Sequence, residues 1–304
     1  MERFDVNILG CGSALPTTRH FLSSQVINLR EKLYMIDCGE GTQLQFRAMK
    51  LNFNRLNHIF LSHLHGDHCF GLPGLISTLG LLGRTADLHI YAQPDAEKVF
   101  QPMLDYFCAQ LPYKIFFHLF NPSKHELIFE DRTLNVYSIP LKHRVPSAGF
   151  LFEEKPKNSH IIREMTDFYQ IPVSQMNTIK NGADFVTPEG ETIPNNCLTR
   201  PAEPPKKYAY CSDTAYSEKI IPIIEGVDLL YHEATFSEED LARAKETYHS
   251  SAKQAAMIAK AANVKKLMLG HFSARYPNEN VLLQEARTIF PNTILADEKK
   301  SIKV

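Results

Sequence analysis

Two rhythms of apolar and polar positions run along most of this chain. Short apolar runs closed by Gly, Asp, Asn or His predict strands over residues 5–9, 25–29, 33–36, 58–62, 88–92, 113–120, 134–141, 208–212, 228–231 and 266–269. Segments of helical character lie between them at 42–49, 72–82 and 95–109. An alanine-rich helix runs to Ala262 behind Ser250 or Ser251 as N-cap. The alternation predicts an α/β fold. It breaks between residues 153 and 205, where Lys155-Pro156-Lys157, a helical stretch at 159–169, Ile171-Pro172, Lys180-Asn181-Gly182 and Pro201 to Pro205 follow one another. That segment reads as a flexible arm inserted into a single domain spanning residues 1–304, and not as a second core.

Composition narrows the setting. With 304 residues, 44% of them hydrophobic and 22% charged, the chain can bury a sizeable core without staples. No stretch reaches the roughly 18 continuous apolar residues of a spanning helix, and Met1-Glu2-Arg3-Phe4-Asp5 lacks the basic start of a secretory leader. A soluble, cytoplasmic protein without a membrane partner is expected. The six cysteines are scattered with no C-x-x-C pair, so neither a zinc ribbon nor a redox motif is indicated. A net charge of -1 supplies no general attraction for nucleic acid, which leaves any phosphate recognition to local groups.

The strongest chemical signal is His63-x-His65-x-Asp67-His68, delivered by the apolar run 58–62. Zinc takes a few nitrogen and oxygen donors at about 2.0 to 2.2 Å, and a turn at a strand end can aim several side chains at one point. Gly66 offers that turn its flexibility. His143, Asp213 and His271 each follow another apolar run, the position at which open sheets gather function. Any one alone, in a chain with thirteen histidines, would be unremarkable. Glu233 closes the run before it, either to orient a histidine or simply to end a buried strand.

These residues, with Asp37 ahead of them, resemble the metal-binding set of the metallo-β-lactamase superfamily, whose fold is an αββα sandwich. The resemblance implies one metal on His63, His65 and His143 and a second on Asp67, His68 and His271. Asp213 would bridge them, and Asp37 would orient the site by hydrogen bonds. The chain is most similar to the ribonuclease Z family through Leu9-Gly10-Cys11-Gly12-Ser13-Ala14-Leu15-Pro16, Asp37-Cys38-Gly39-Glu40-Gly41-Thr42-Gln43, His232-Glu233-Ala234-Thr235, His249-Ser250-Ser251 and His271-Phe272-Ser273-Ala274-Arg275. That likeness spans nearly the whole chain, and its length fits the short form, which acts as a homodimer.

What the resemblance implies is a two-metal endoribonuclease that removes the 3′ trailer of precursor tRNA. Two zinc ions per chain, or manganese, would ready one water for attack on phosphorus. Asp67 would act as general base, His249 as proton donor to the leaving 3′-oxygen, and Arg275 as a phosphate contact. The segment 153–205 lies where the family carries an arm that grips tRNA, although Ile171-Pro172-Val173-Ser174 stands where a Gly-Pro pair is usual. Lys155-Pro156-Lys157 and Lys206-Lys207 are candidate phosphate contacts flanking it. Two other readings accompany this one: a hydrolase of small esters or phosphodiesters, thioesterase or arylsulfatase-like, and a non-catalytic RNA-binding relative.

Overall fold

The central strand segments are apolar at consecutive positions because neighbours cover both their faces. All six residues of the strand Ser24–Leu29 are buried, and in Lys32–Ile36 only Lys32 is exposed. The computed structural model, which describes residues 3–304, arranges the strands in two seven-stranded sheets. The first runs in the order Ser301–Lys303, Phe4–Gly10, Ser24–Leu29, Lys32–Ile36, Leu56–Phe60, Leu88–Ala92, Ile115–Leu119. The second runs Thr293–Leu295, Leu267–Gly270, Leu229–Glu233, Lys207–Cys211, Ala148–Glu154, Leu134–Pro140, Leu127–Glu130. Lys32–Ile36 and Leu56–Phe60 pair parallel, as do Lys207–Cys211, Leu229–Glu233 and Leu267–Gly270. Parallel pairing puts the C-terminal ends of those strands side by side, and the residues that follow them therefore meet.

Helices cover the outer faces. Leu75, Ile76 and Leu79 of the helix Leu72–Leu81, with Phe100 and Leu104 of Asp95–Phe107, close one core over Val26, Leu33, Met35, Ile59 and Ile90. Ala252–Ala261 and Asn280–Arg287 pack against each other, and the first of them lies on the second sheet. Ser251, not Ser250, caps the former: its hydroxyl accepts from Gln254 N–H, and the Gln254 side chain returns the bond to the Ser251 N–H. Between the sheets lies an aromatic layer. Phe60 meets Phe152 edge-on at 5.4 Å and Phe150 at 5.6 Å. Tyr208 donates to Gln25 across the same space. Helix, sheet, sheet and helix form successive layers.

The chain separates into two compact units, the smaller comprising Arg132–Leu134 and Glu154–Pro205. It differs from the coreless arm the sequence suggests. Ile171, Ile179, Phe185, Ile193 and Leu198 are buried together, with Met165 and Tyr169 packed on them. These five are too far apart along the chain to show a period, so the pattern missed them. The helix expected at 159–169 begins only at Arg163, because His160–Ile161 pairs as a short strand with Thr199–Arg200. Pro172, with its fixed φ, then caps a second helix, Val173–Lys180. The strand Ala148–Glu154 was not expected at all, since it follows Pro146-Ser147 without a polar break.

Candidate metal centre

Three of the site residues sit in the left-handed region that side-chain-bearing residues seldom adopt. Asp37 (φ 56°), Asp213 (φ 57°) and His271 (φ 58°) lie just past the strands that end at Ile36, Cys211 and Gly270. Each such conformation costs on the order of 1–3 kcal/mol, and persists because the surrounding bonds over-determine it. The remaining donors come from Ser62 onward. His65 is extended and caps a single helical turn, Gly66–Cys69, that carries Asp67 and His68. Gly66 itself has no left-handed φ; a Cβ there would strike the Phe70 ring at 2.4 Å, so it supplies room and not flexibility. A Cβ on Gly39 would stand only 2.6 Å from Asp67 O, so its absence lets the Asp37 loop lie directly on that turn.

The donors gather in two groups. His63 Nε2 lies 2.9 Å from His65 Nδ1, and His143 Nε2 lies 3.4 Å from that same atom. His68 Nε2 and His271 Nε2 stand 3.3 Å apart, with Asp67 Oδ2 at 3.6 and 3.5 Å from them. Asp213 faces both groups. Its Oδ2 is 3.6 Å from His63 Nε2 and 3.7 Å from His143 Nε2, while its Oδ1 is 3.0 Å from His68 Nε2 and 3.1 Å from His271 Nε2.

Bonds on the far side of each ring decide which nitrogen faces inward. Ser62 Oγ–H donates to Asp37 Oδ2 at 2.9 Å, so the same oxygen accepts from His63 Nδ1–H at 3.0 Å. His68 Nδ1–H donates to Asp37 Oδ2 at 2.7 Å, and His143 Nδ1–H to the Tyr248 carbonyl at 3.1 Å. Thr235 Oγ1–H donates to Glu233 Oε2 at 2.6 Å and accepts from His271 Nδ1–H at 2.9 Å. In their neutral forms the four rings therefore turn unprotonated Nε2 atoms toward one another and toward buried carboxylates, and without a cation only ring protonation relieves the crowding. Facing lone pairs repel, and a cation between them removes that repulsion; the donor set fits divalent metal.

Beside the two groups stands His249. Burial pulls its pKa down, but the charge and hydrogen bond of Glu233 outweigh this and raise it to about 9. Its Nδ1–H donates to Glu233 Oε1 at 2.9 Å, and its ring stacks on His271 at 5.4 Å and lies 5.1 Å from His143. Glu233 is fully buried and also accepts from Thr214 N–H at 2.6 Å and Ser250 N–H at 3.1 Å. Burial raises the Asp213 pKa, yet the neighbouring His271 and His68 hold it well below the ordinary carboxylate range.

The geometry thus brings together His63, His65, Asp67, His68, His143, Asp213 and His271, with Asp37 behind them and the Glu233–His249 pair alongside. Arg275 is engaged elsewhere: it donates to Asp240 Oδ1 at 2.7 Å and lies over the Phe236 ring. The flanking lysines also have carboxylate partners. Lys157 meets Glu154 at 3.0 Å, Lys206 meets Asp228 at 3.1 Å and Lys207 meets Glu153 at 2.5 Å. Sequence reasoning missed Ser62, Thr235, Tyr210, whose hydroxyl donates to Asp37 at 2.7 Å, and the Ala14 N–H, which donates to Asp67 Oδ2 at 2.8 Å. Only Thr235 had a visible signal, its place two residues after Glu233.

A family model described as Anti-Pycsar protein Apyc1 matches residues 4–181. Curated proteins named Ribonuclease Z are 66% identical in Parabacteroides distasonis and 63% identical in Bacteroides thetaiotaomicron. Both matches cover all of this chain, with 100% and 96% of the relatives. Among solved structures, human tRNase Z, short form, superposes with TM-score 0.72 at 25% identity over 99% of both chains. The metallo-β-lactamase fold protein YhfI from Bacillus subtilis reaches TM-score 0.70 at 19% identity over 99% of both chains, a likeness of fold alone. The fold is that of the metallo-β-lactamases, as the motif implied.

Asp37 receives bonds from Ser62 N–H, Ser62 Oγ, His68 and Tyr210. Replacement Asp37→Asn turns an acceptor into a donor against His68 Nδ1. Retention of metal during dialysis against graded chelator is expected to weaken by roughly 10- to 100-fold with circular dichroism unchanged. Retention equal to that of the parent protein would rule out this orienting role.

Proposed function

We propose, from the premise that this chain belongs to the ribonuclease Z family and matches the Apyc1 family model over residues 4–181, that it is a metal-dependent endoribonuclease. It cuts precursor tRNA at the 3′ end, leaving a 3′-hydroxyl on the tRNA and a 5′-phosphate on the trailer. The Apyc1 match stops before Asp213, Glu233, His249 and His271, whereas the Ribonuclease Z relatives extend over all of them. The observation that carries the chemistry is the carboxylate of Asp213, with one oxygen toward each group of donors.

His63, His65 and His143 would hold one cation and Asp67, His68 and His271 the other, with Asp213 shared. Five imidazoles among seven ligands favour zinc, and nitrogen separations of 2.9, 3.3 and 3.4 Å lie near the roughly 3.3 Å edge of a tetrahedron with bonds of about 2.0 Å. Divalent cations there supply Lewis acidity to a water nucleophile and to the phosphate oxygens.

The chain's own groups manage the protons. Asp67 is the base that takes the proton of the attacking water, its Oδ2 held by the Ala14 N–H. His249 donates from Nε2 to the leaving 3′-oxygen, because Glu233 fixes its Nδ1–H and keeps the ring charged. Arg275 would reach a phosphate only by leaving Asp240.

The unit built from Glu154–Pro205 is proposed as the grip on the tRNA body. Over residues 154–205, seven acidic residues outnumber five basic ones, so a general positive field does not supply that grip. Exposed Phe168, Val173 and Val186 offer apolar contact instead. A homodimer is proposed on a different surface. Leu81 and Leu82 end one helix, and Val99, Met103, Tyr106 and Phe107 are exposed along the flank of Asp95–Phe107 next to buried Ala96, Phe100 and Leu104.

His249→Ala should lower kcat on a 3′-extended tRNA by about 10²–10⁴-fold with zinc content equal to the parent's; loss of zinc would make His249 a ligand instead. Deleting residues 154–205 is expected to weaken precursor tRNA binding far more than turnover of bis(p-nitrophenyl) phosphate. Equal losses on both substrates would reject the grip. For the dimer, sedimentation of a Tyr106→Asp, Phe107→Asp variant should give the monomer mass where the parent gives twice that; identical masses would dismiss this interface.

A further inference from the structure

We infer that Cys11, His20 and Glu298 form a third cation site, separate from the two donor groups and built around a thiolate. Their ligand atoms lie within 4.8 Å of one another. Cys11 Sγ is 3.5 Å from His20 Nδ1, and Glu298 brings Oε1 and Oε2 to 3.1 and 3.0 Å of that nitrogen. Zinc–sulfur and zinc–nitrogen bonds of about 2.3 and 2.0 Å set a tetrahedral edge of roughly 3.5 Å, the separation seen between the cysteine and the histidine. Cys11 is fully buried, and the side chains of His20 and Glu298 are only 14% and 10% exposed.

The outer side of the cluster repeats the construction of the main site. His20 Nε2–H donates to Glu279 Oε1 at 3.1 Å, as His68 Nδ1–H donates to Asp37. A carboxylate on the far nitrogen holds the Nε2 proton, and a cation at Nδ1 would take the place of the proton that this nitrogen otherwise shares with Glu298. Arg19 braces Glu279 at 2.9 Å, and Phe21 N–H donates to Glu298 Oε1 at 3.0 Å. Burial holds the Cys11 thiol well above its ordinary pKa, with Glu298 adding to the shift; ligation must overcome this, and a divalent cation does so by displacing the thiol proton to solvent. Sulfur, nitrogen and oxygen donors together select a borderline-soft divalent ion such as zinc. Water completes the fourth position.

The site would clamp a loop that reaches the main centre. Cys11 and His20 bracket residues 12–19, whose base is closed by the Gly12 N–H bond to Phe21 O at 2.9 Å. Cys11 O accepts from Phe272 N–H at 2.9 Å, next to His271, and Ala14 in the loop donates to Asp67. Glu298 ties the C-terminal segment to the same point.

Cobalt(II) reports a thiolate ligand by sulfur-to-cobalt charge-transfer absorption in the near ultraviolet, which donor groups lacking cysteine cannot produce. The full chain, carrying Cys197→Ser to remove the exposed cysteine, is stripped and reloaded with cobalt. Three cobalt per chain and the charge-transfer band are expected. Cys11→Ser should lose the band and one cobalt while the visible d–d absorption of the other two persists, and His20→Gln should lose the same cobalt if Cys11→Ser fails to fold. Two cobalt with no band would overturn the site and leave His20 as an imidazolium shared by two carboxylates. A band that survives in Cys11→Ser or in His20→Gln would overturn it equally.

Discussion

A buried carboxylate facing four ring nitrogens is the constraint around which the larger unit is organised. Asp213 lies at the end of a strand in the second sheet, while His63 and His68 follow a strand of the first. Its two oxygens divide between the donor groups, so the alignment of the two sheets is written into a spacing of a few ångströms. A lone charge at this depth would be prohibitive, and positive charge within the cluster offsets it. The aromatic layer between the sheets fixes their separation, and the left-handed residues at three strand ends direct the side chains toward a common point.

Behind the inward-facing nitrogens, the polar groups form one connected frame. Glu233 touches the backbone next to Asp213 through Thr214, the orientation of His271 through Thr235, and the charge of His249 directly. The same residue therefore couples the arrangement of donors to the group that handles the leaving oxygen. Such frames resist distortion because every member is satisfied, and loosening one bond exposes another.

Much of this was legible in the residues. The apolar runs located ten strands, most of them because strands covered on both faces lose their polar alternation, and the motif at 63–68 is dense enough to stand out unaided. His143, Asp213 and His271 were visible only through their shared position after such runs. Ser62, Tyr210 and the Tyr248 carbonyl had no signal, since a hydroxyl or a backbone oxygen that orients a ring resembles any other until the fold brings it near. The core of the smaller unit escaped for a related reason: its five buried residues are gathered by tertiary contact and not by period. The roles expected of Lys157, Lys206 and Lys207 rested on charge in sequence, which cannot reveal a carboxylate waiting in space.

The ligands are strewn from His63 to His271, and the last strand that frames the first sheet is Ser301–Lys303. No fragment emerging early from a ribosome holds a complete centre. An RNA-cutting agent assembled this way is inert in any partly folded form, because its donors come together only when both sheets have formed around Asp213.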